Sequence, residues 1–79
     1  MVEDRAKKVM SQVLRIAKSA ITDKTSPDIV GSWDSLQHMN LILALEEEFG
    51  VEFTGEQMNE MLNFRLIVII LQELLNKRQ

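Results

Sequence analysis

The chain contains no cysteine. Disulfides and thiolate metal ligands are therefore excluded, and a fold of this size rests on packing alone, which favours close helix–helix contacts. Long apolar runs are missing too. The longest uninterrupted one, Leu66–Leu71, is far too short to span a bilayer. Nor does the N-terminus combine a basic start, an apolar stretch and a small-residue cleavage site, the pattern of a secretory leader. These absences set the expectation of a soluble cytoplasmic protein without membrane contact. No internal repeat, low-complexity tract or long linker divides the chain, so residues 1–79 are expected to form a single domain.

Positive charge is absent from the middle. Between Lys24 and Arg65 stand Asp28, Asp34, Glu46, Glu47, Glu48, Glu52, Glu56 and Glu60, without one lysine or arginine. The first stretch carries Arg5, Lys7, Lys8, Arg15, Lys18 and Lys24 against Glu3, Asp4 and Asp23. The last carries Arg65, Lys77 and Arg78 against Glu73. The net charge of −3 thus conceals an acidic centre between mixed ends. Such a block repels nucleic acid and steers basic protein surfaces toward it. It is equally compatible with an ordinary solvated helix face.

What the chain does have is helical periodicity. Val2, Ala6, Val9, Val13 and Ile16 recur in steps of four and three, widened by Met10 and Leu14. They predict a helix over roughly residues 2–16. Ala17–Trp33 loses that period and carries turn and cap chemistry in Thr22-Asp23, Thr25-Ser26-Pro27-Asp28 and Gly31-Ser32. Ile21, Ile29 and Val30 are expected to pin this long loop to the core, and loops of such length are often functional. A second helix is predicted over Ser35–Phe49, stopped by Gly50. Its inner face reads as Leu41, Ile42, Leu45 and Phe49, with Leu36, Met39 and Leu43 nearer solvent.

Beyond the extended link Val51-Glu52-Phe53, Thr54 and Gln57 have capping-box spacing. They precede a short third helix, Gly55–Leu62, expected to bury Met58 and Met61. Asn63 is placed to cap a fourth, Phe64–Lys77. Leu66–Leu71 is β-branched enough to be a buried strand. However, Gln72–Lys77 continues with strong helix formers and no second strand exists for pairing. Apolar residues cover more than one face of this last helix, which either reflects a grip on several sides or lets Leu66 or Ile69 reach a partner. The predicted fold is all-α, a small four-helix bundle with a long loop between helices one and two and a short third helix.

Asp34-Ser35-Leu36 opens the second helix. An anion there meets unpaired first-turn N–H groups and the positive end of the helix dipole, so a phosphate esterified to Ser35 is well placed. An enzyme reading would pair Ser35 with His38, three residues on. No third group is set to orient that histidine, and no oxyanion pocket is evident. Consecutive Glu46, Glu47 and Glu48 diverge by about 100° each on a helix and cannot converge on one ion. Neither a catalytic group nor a metal site is expected.

The run from Trp33 to Phe53 resembles the acyl carrier protein family. That family's pattern is Asp-Ser-Leu, spaced aliphatics, then Leu-Glu-x-x-Phe-Gly-(Ile/Val), matched here by Asp34-Ser35-Leu36 and Leu45-Glu46-Glu47-Glu48-Phe49-Gly50-Val51. The likeness extends over essentially the whole chain. It implies that Ser35 is the attachment point for 4′-phosphopantetheine, installed by a separate phosphopantetheinyl transferase using Mg²⁺ and coenzyme A. It implies that Asp34 helps dock and orient the site in that complex. Leu36, Met39 and Leu43 would form the partner surface, with Glu46 and Glu47 supplying charge and Glu52 and Glu56 nearby. Partners would be the transferase and basic acyl-loading and acyl-processing enzymes, approached by a monomer.

Acyl groups would ride as thioesters on the arm, partly sheltered in the bundle, where Met58, Met61, Ile67 and Leu45 either line the space or simply pack the core. Gln37 and Asn40 stand where many fatty-acid-type carriers have acids, and Trp33 where small residues are common. His38 is the sole histidine, and Pro27 interrupts the loop. These departures point to a dedicated lipid, polyketide or related pathway rather than the housekeeping synthase. The competing reading is a helical adaptor that uses the same surface for protein partners and never takes an arm.

Overall fold

The computed structural model describes residues 1–77, so Arg78 and its share of the basic C-terminal end lie outside the described residues. The elements are α1 (Val2–Leu14), a single 3₁₀ turn at Lys18–Ala20, α2 (Ser35–Phe49), α3 (Gly55–Glu60) and α4 (Phe64–Lys77). No strand occurs among the described residues, and the fold is the expected four-helix arrangement. Helix α1 packs against both α2 and α4.

Helix α1 buries Ala6, Val9, Met10 and Leu14 and carries Glu3 and Asp4 in its first turn, where the dipole favours acids. It stops two residues before the periodicity predicts. Arg15 turns left-handed at φ 58°, ψ 46°, and ends the helix. Hydroxyls then take the carbonyls near this end, since Ser32 Oγ donates to Leu14 O at 2.8 Å and Ser11 Oγ to Ile16 O at 2.6 Å. The end of α1 is thereby tied to the chain just ahead of α2. Near its start, the Lys18 ammonium lies 2.7 Å from Asp4 and holds that carboxyl below its ordinary pKa. This exposed pair favours the fold above the unfolded-state value, and its effect disappears as pH falls through the lowered one.

Helix α2 is closed at both ends. Asp34 Oδ1 accepts from Gln37 N–H at 2.8 Å at the start. At the finish Gly50 adopts φ 65°, which glycine enters without penalty, and its N–H donates to Glu46 O at 2.8 Å. Leu41, Ile42, Leu45 and Phe49 form the buried face, as predicted. Arg5 joins α1 to the end of α2. Its Nε meets Glu48 Oε2 at 2.9 Å, its Nη2 donates to Glu48 O at 2.7 Å, and its guanidinium lies 4.5 Å from the Phe49 ring centroid.

The capping box forms at α3, where Thr54 Oγ1 accepts from Gln57 N–H at 3.0 Å and Gln57 Oε1 from Thr54 N–H at 2.9 Å. The helix ends at Glu60 rather than Leu62, because Leu62 N–H donates to Glu60 O at 2.9 Å and the chain leaves the helical path. Met61 is buried, Met58 only half-buried, and Leu62 exposed. Asn63 Oδ1 accepts from Leu66 N–H at 2.9 Å, as a cap of α4 should. Burial of Phe64, Ile67, Val68, Ile70 and Leu71 along α4 decides the strand-or-helix question for helix. Leu66 and Ile69 are half-buried on its flank.

The long loop is held differently from expectation. Ile21 and Trp33 are buried and Val30 half-buried, but Ile29 is 71 % exposed. Ile29 and Val30 N–H groups both donate to Ser26 O, at 3.0 and 2.9 Å, and in this tight turn only Val30 packs against the core. Thr25 takes over as the anchor. Its buried Oγ1 accepts from Thr22 N–H at 2.8 Å, and its carbonyl accepts from Phe64 N–H at 2.9 Å. Asp23 O accepts from Arg65 N–H at 3.3 Å. The loop thus supplies acceptors for the first N–H groups of α4, which no turn within that helix can satisfy.

Leu45 is fully buried and Leu43, two residues earlier on the same helix, is 58 % exposed. Leu45→Ala is expected to lower unfolding free energy by about 2–5 kcal/mol, and Leu43→Ala by less than about 0.5 kcal/mol. Urea titration of both variants checks this. Equal losses would contradict the two-faced α2.

Candidate functional site

Ser35 is the first residue of α2, immediately after the cap. Asp34 has extended backbone, φ −101° and ψ −174°, and the chain turns from it directly into helix. Both Asp34 and Ser35 are exposed. A groove of about 540 Å³ opens beside them. Pro27 and Trp33 wall it on the loop side, His38 and Met39 on α2. Across from these lie Met58 and Asn59 of α3, followed by Met61 and Leu62. The lining carries no lysine or arginine, and its titratable members are Asp34 and His38.

One hydrogen-bonded chain crosses this groove. Trp33 Nε1–H donates to His38 Nδ1 at 3.0 Å, and His38 Nε2 lies 3.0 Å from Met58 O. An indole nitrogen only donates and a carbonyl only accepts. His38 must therefore be the neutral tautomer with its proton on Nε2. The two rings stack with centroids 6.0 Å apart and planes 23° from parallel. Both ring nitrogens are engaged away from Ser35, so a nucleophile–base pair does not assemble.

The sequence missed this link although its signal was present. Trp33 occupies the position before the N-cap and His38 the fourth helical position, the two sites that pack together in a hydrophobic staple. Weighing His38 only as a partner for Ser35 overlooked that spacing. In the structure it is half-buried.

The outer face of α2 leaves Leu36 70 %, Met39 47 % and Leu43 58 % exposed. Glu47 is exposed on the same helix. Glu46 is half-buried, and its Oε2 accepts from Phe53 N–H at 2.9 Å, stitching α2 to the link before α3. The four residues open between lining and core divide. Met58 and Met61 line the groove, whereas Leu45 and Ile67 are fully buried in the core.

The Asp34 cap makes a separable prediction. Asp34→Ala is expected to cost about 1 kcal/mol of stability, and Asp34→Asn a few tenths at most, because asparagine still accepts from Gln37 N–H. Denaturation midpoints of the two variants decide it. Equal destabilisation would show that the negative charge, not the hydrogen bond, is what matters.

Among the described residues, no helix is long and apolar enough to cross a membrane. Residues 4–69 match the protein family described as the phosphopantetheine attachment site. The fold is similar to the solution structure of the holo acyl carrier protein from Geobacter metallireducens, with a TM-score of 0.88 and 26 % sequence identity. That match covers 98 % of this chain and 88 % of the other. The chain belongs to the phosphopantetheine attachment-site family, as a non-enzymatic carrier of the acyl carrier protein type whose cofactor is covalently attached 4′-phosphopantetheine.

Proposed function

We propose that Ser35 is the residue that carries the phosphopantetheine arm, and that the chain acts as one carrier domain. The observation behind this reading is the place of Ser35, exposed at the first position of a fifteen-residue helix and on the lip of a largely apolar groove. The residues present fit such a group. A phosphodiester on Ser35 would lie at the positive end of the α2 dipole, and the arm would have the groove beside it.

During modification Ser35 Oγ bonds to the phosphorus next to the pantetheine of coenzyme A. The bond from that phosphorus to the adenosine bisphosphate half breaks. A transferase base would take the hydroxyl proton, and Mg²⁺ held by the transferase would offset charge on the phosphates. Serine is a weak nucleophile unaided, and His38 is committed to Trp33 and Met58. The activating base therefore belongs to the transferase. Once attached, the arm supplies a terminal thiol that holds acyl groups as thioesters.

Leu36, Met39 and Leu43, exposed on one helix with Glu47 nearby and Glu46 at its end, form the proposed docking surface. Apolar contact supplies affinity there, and acidic charge steers basic acyl-loading and acyl-processing enzymes. Asp34 both caps the helix and presents charge to the transferase. The departures from the family's pattern at Pro27, Trp33, Gln37, His38 and Asn40 support service in a dedicated lipid, polyketide or related pathway. A monomeric, cytoplasmic carrier suits this diffusive delivery.

Intact mass spectrometry after incubation with coenzyme A, Mg²⁺ and a broad-specificity transferase tests the assignment. One phosphopantetheine addition is expected, and none on Ser35→Ala. No addition to the native chain, or an addition that survives the substitution, favours an unmodified adaptor. Raising ionic strength from about 0.01 M to 0.15 M shortens the screening length from about 30 Å to about 8 Å. Association with a basic transferase is expected to slow accordingly, and a rate indifferent to salt would remove electrostatic steering from the mechanism.

A further inference from the structure

Helix α3 spans six residues, far below the length at which a helix is stable alone. Its start is closed by Thr54 and Gln57. Its end is not closed from within, since Leu62 N–H turns to Glu60 O. Met58 O, one of the carbonyls a helix end leaves without an internal donor, receives its proton from His38 Nε2 at 3.0 Å. That donor exists only while Nδ1 is the acceptor, and Trp33 Nε1–H at 3.0 Å fixes it so. Three segments of the groove wall (loop, α2 and α3) are therefore joined through one neutral imidazole.

Protonation of His38 adds a hydrogen to Nδ1, facing the indole N–H. Two donors then oppose each other with no acceptor between them, because indole nitrogen has none to offer. The Trp33 bond breaks, while the Met58 bond alone survives on a ring no longer held from its other side. Histidine changes charge within the physiological range. The other titratable group in the groove lining is Asp34, at the start of His38's own helix. The loop contributes Pro27 and Trp33, and the α3 side Met58, Asn59, Met61 and Leu62, none of them charged.

We propose that His38 is a positioning residue for the arm: neutral, it clamps Trp33 and α3 against α2 and keeps the groove beside Ser35 narrow, and protonated, it releases the Trp33 side and opens that groove. The consequence for cargo rests on Ser35 carrying the arm. The clamp itself does not, and is testable in the unmodified chain.

Trp33 is the only tryptophan, so its indole N–H gives one NMR resonance and its ring is the only indole fluorophore. Lowering pH from about 8 to about 5, the range in which histidine titrates, is expected to shift that resonance and quench the fluorescence in one step. That step should coincide with titration of the His38 ring protons. Once corrected for the slower intrinsic exchange at low pH, amide exchange in α3 is expected to rise roughly three- to tenfold, because the ring that holds Met58 O has lost its own hydrogen bond to Trp33. His38→Gln retains a donor and an acceptor but does not titrate, so its indole signal and α3 protection are expected to stay flat with pH. Trp33→Phe keeps an aromatic ring but removes the donor together with part of the buried ring system, and is expected to abolish the pH dependence of corrected α3 exchange, which keeps the test available if the glutamine variant does not fold. An indole shift that persists in His38→Gln, or α3 exchange that ignores His38 titration, overturns the clamp.

The second measurement uses acylated carrier and a small nucleophile that cleaves the thioester. The ratio of wild-type to His38→Gln cleavage rates is expected to be near one at about pH 8 and to rise severalfold at about pH 5. A flat ratio beside a working clamp overturns the positioning role. Failure of loading on Ser35 instead refutes the attachment reading and leaves the NMR result standing.

Discussion

The fold depends on burying one face of α2 while leaving the opposite face in water. Leu41, Ile42, Leu45 and Phe49 are almost completely buried, and Leu36, Met39 and Leu43 on the same fifteen residues are about half exposed or more. A helix that is apolar on more than one side has no strong preference for which side turns inward. Neighbouring contacts make the choice. Arg5 fastens the end of α2 by bonding the Glu48 carboxylate and carbonyl and covering Phe49. Asp34 fastens its start. With the rotation settled at both ends, Ser35 and the outer apolar residues have to face solvent together.

The remaining elements hold this helix without surrounding it. A loop of this length would be a liability in a bundle stabilised by packing alone. Here it is tied down by hydrogen bonds to the ends of two helices. Ser32 takes a carbonyl at the end of α1, and Thr25 and Asp23 take N–H groups at the start of α4. Helix termini always leave such groups unpaired. Each bond therefore satisfies an obligation of a helix and fixes the loop in one move. Trp33 ends the loop buried, which sets the direction from which the chain enters α2.

Much of the fold was legible in the residues. The Gly50 stop of α2, the α3 capping box and the Asn63 cap are local patterns whose partners lie within four residues, and each formed as its spacing predicts. The errors share a cause. Arg15 ends α1 early through contacts of Ser11 and Ser32, and α3 ends early where its last turn is completed by His38 from another helix. Ile29 was placed inside for its side chain, but the turn around Ser26 directs it outward. Leu45 and Ile67, open between groove lining and core, belong to the core, a choice that hydrophobicity alone does not make. Trp33 and His38 stood at staple positions, yet the hydrogen bond between their rings needs the tautomer whose other nitrogen donates to Met58 O, twenty residues along the chain.

The sequence by itself determined the helices, their caps, the acidic centre and the serine that begins α2, because each is a matter of residues three or four apart or of composition. Only the tertiary structure decided what lines the groove beside Ser35 and which ring nitrogen of His38 carries the proton. Those follow from donors and acceptors brought together from the loop, α2 and α3, and a linear chain records the groups but not their distances.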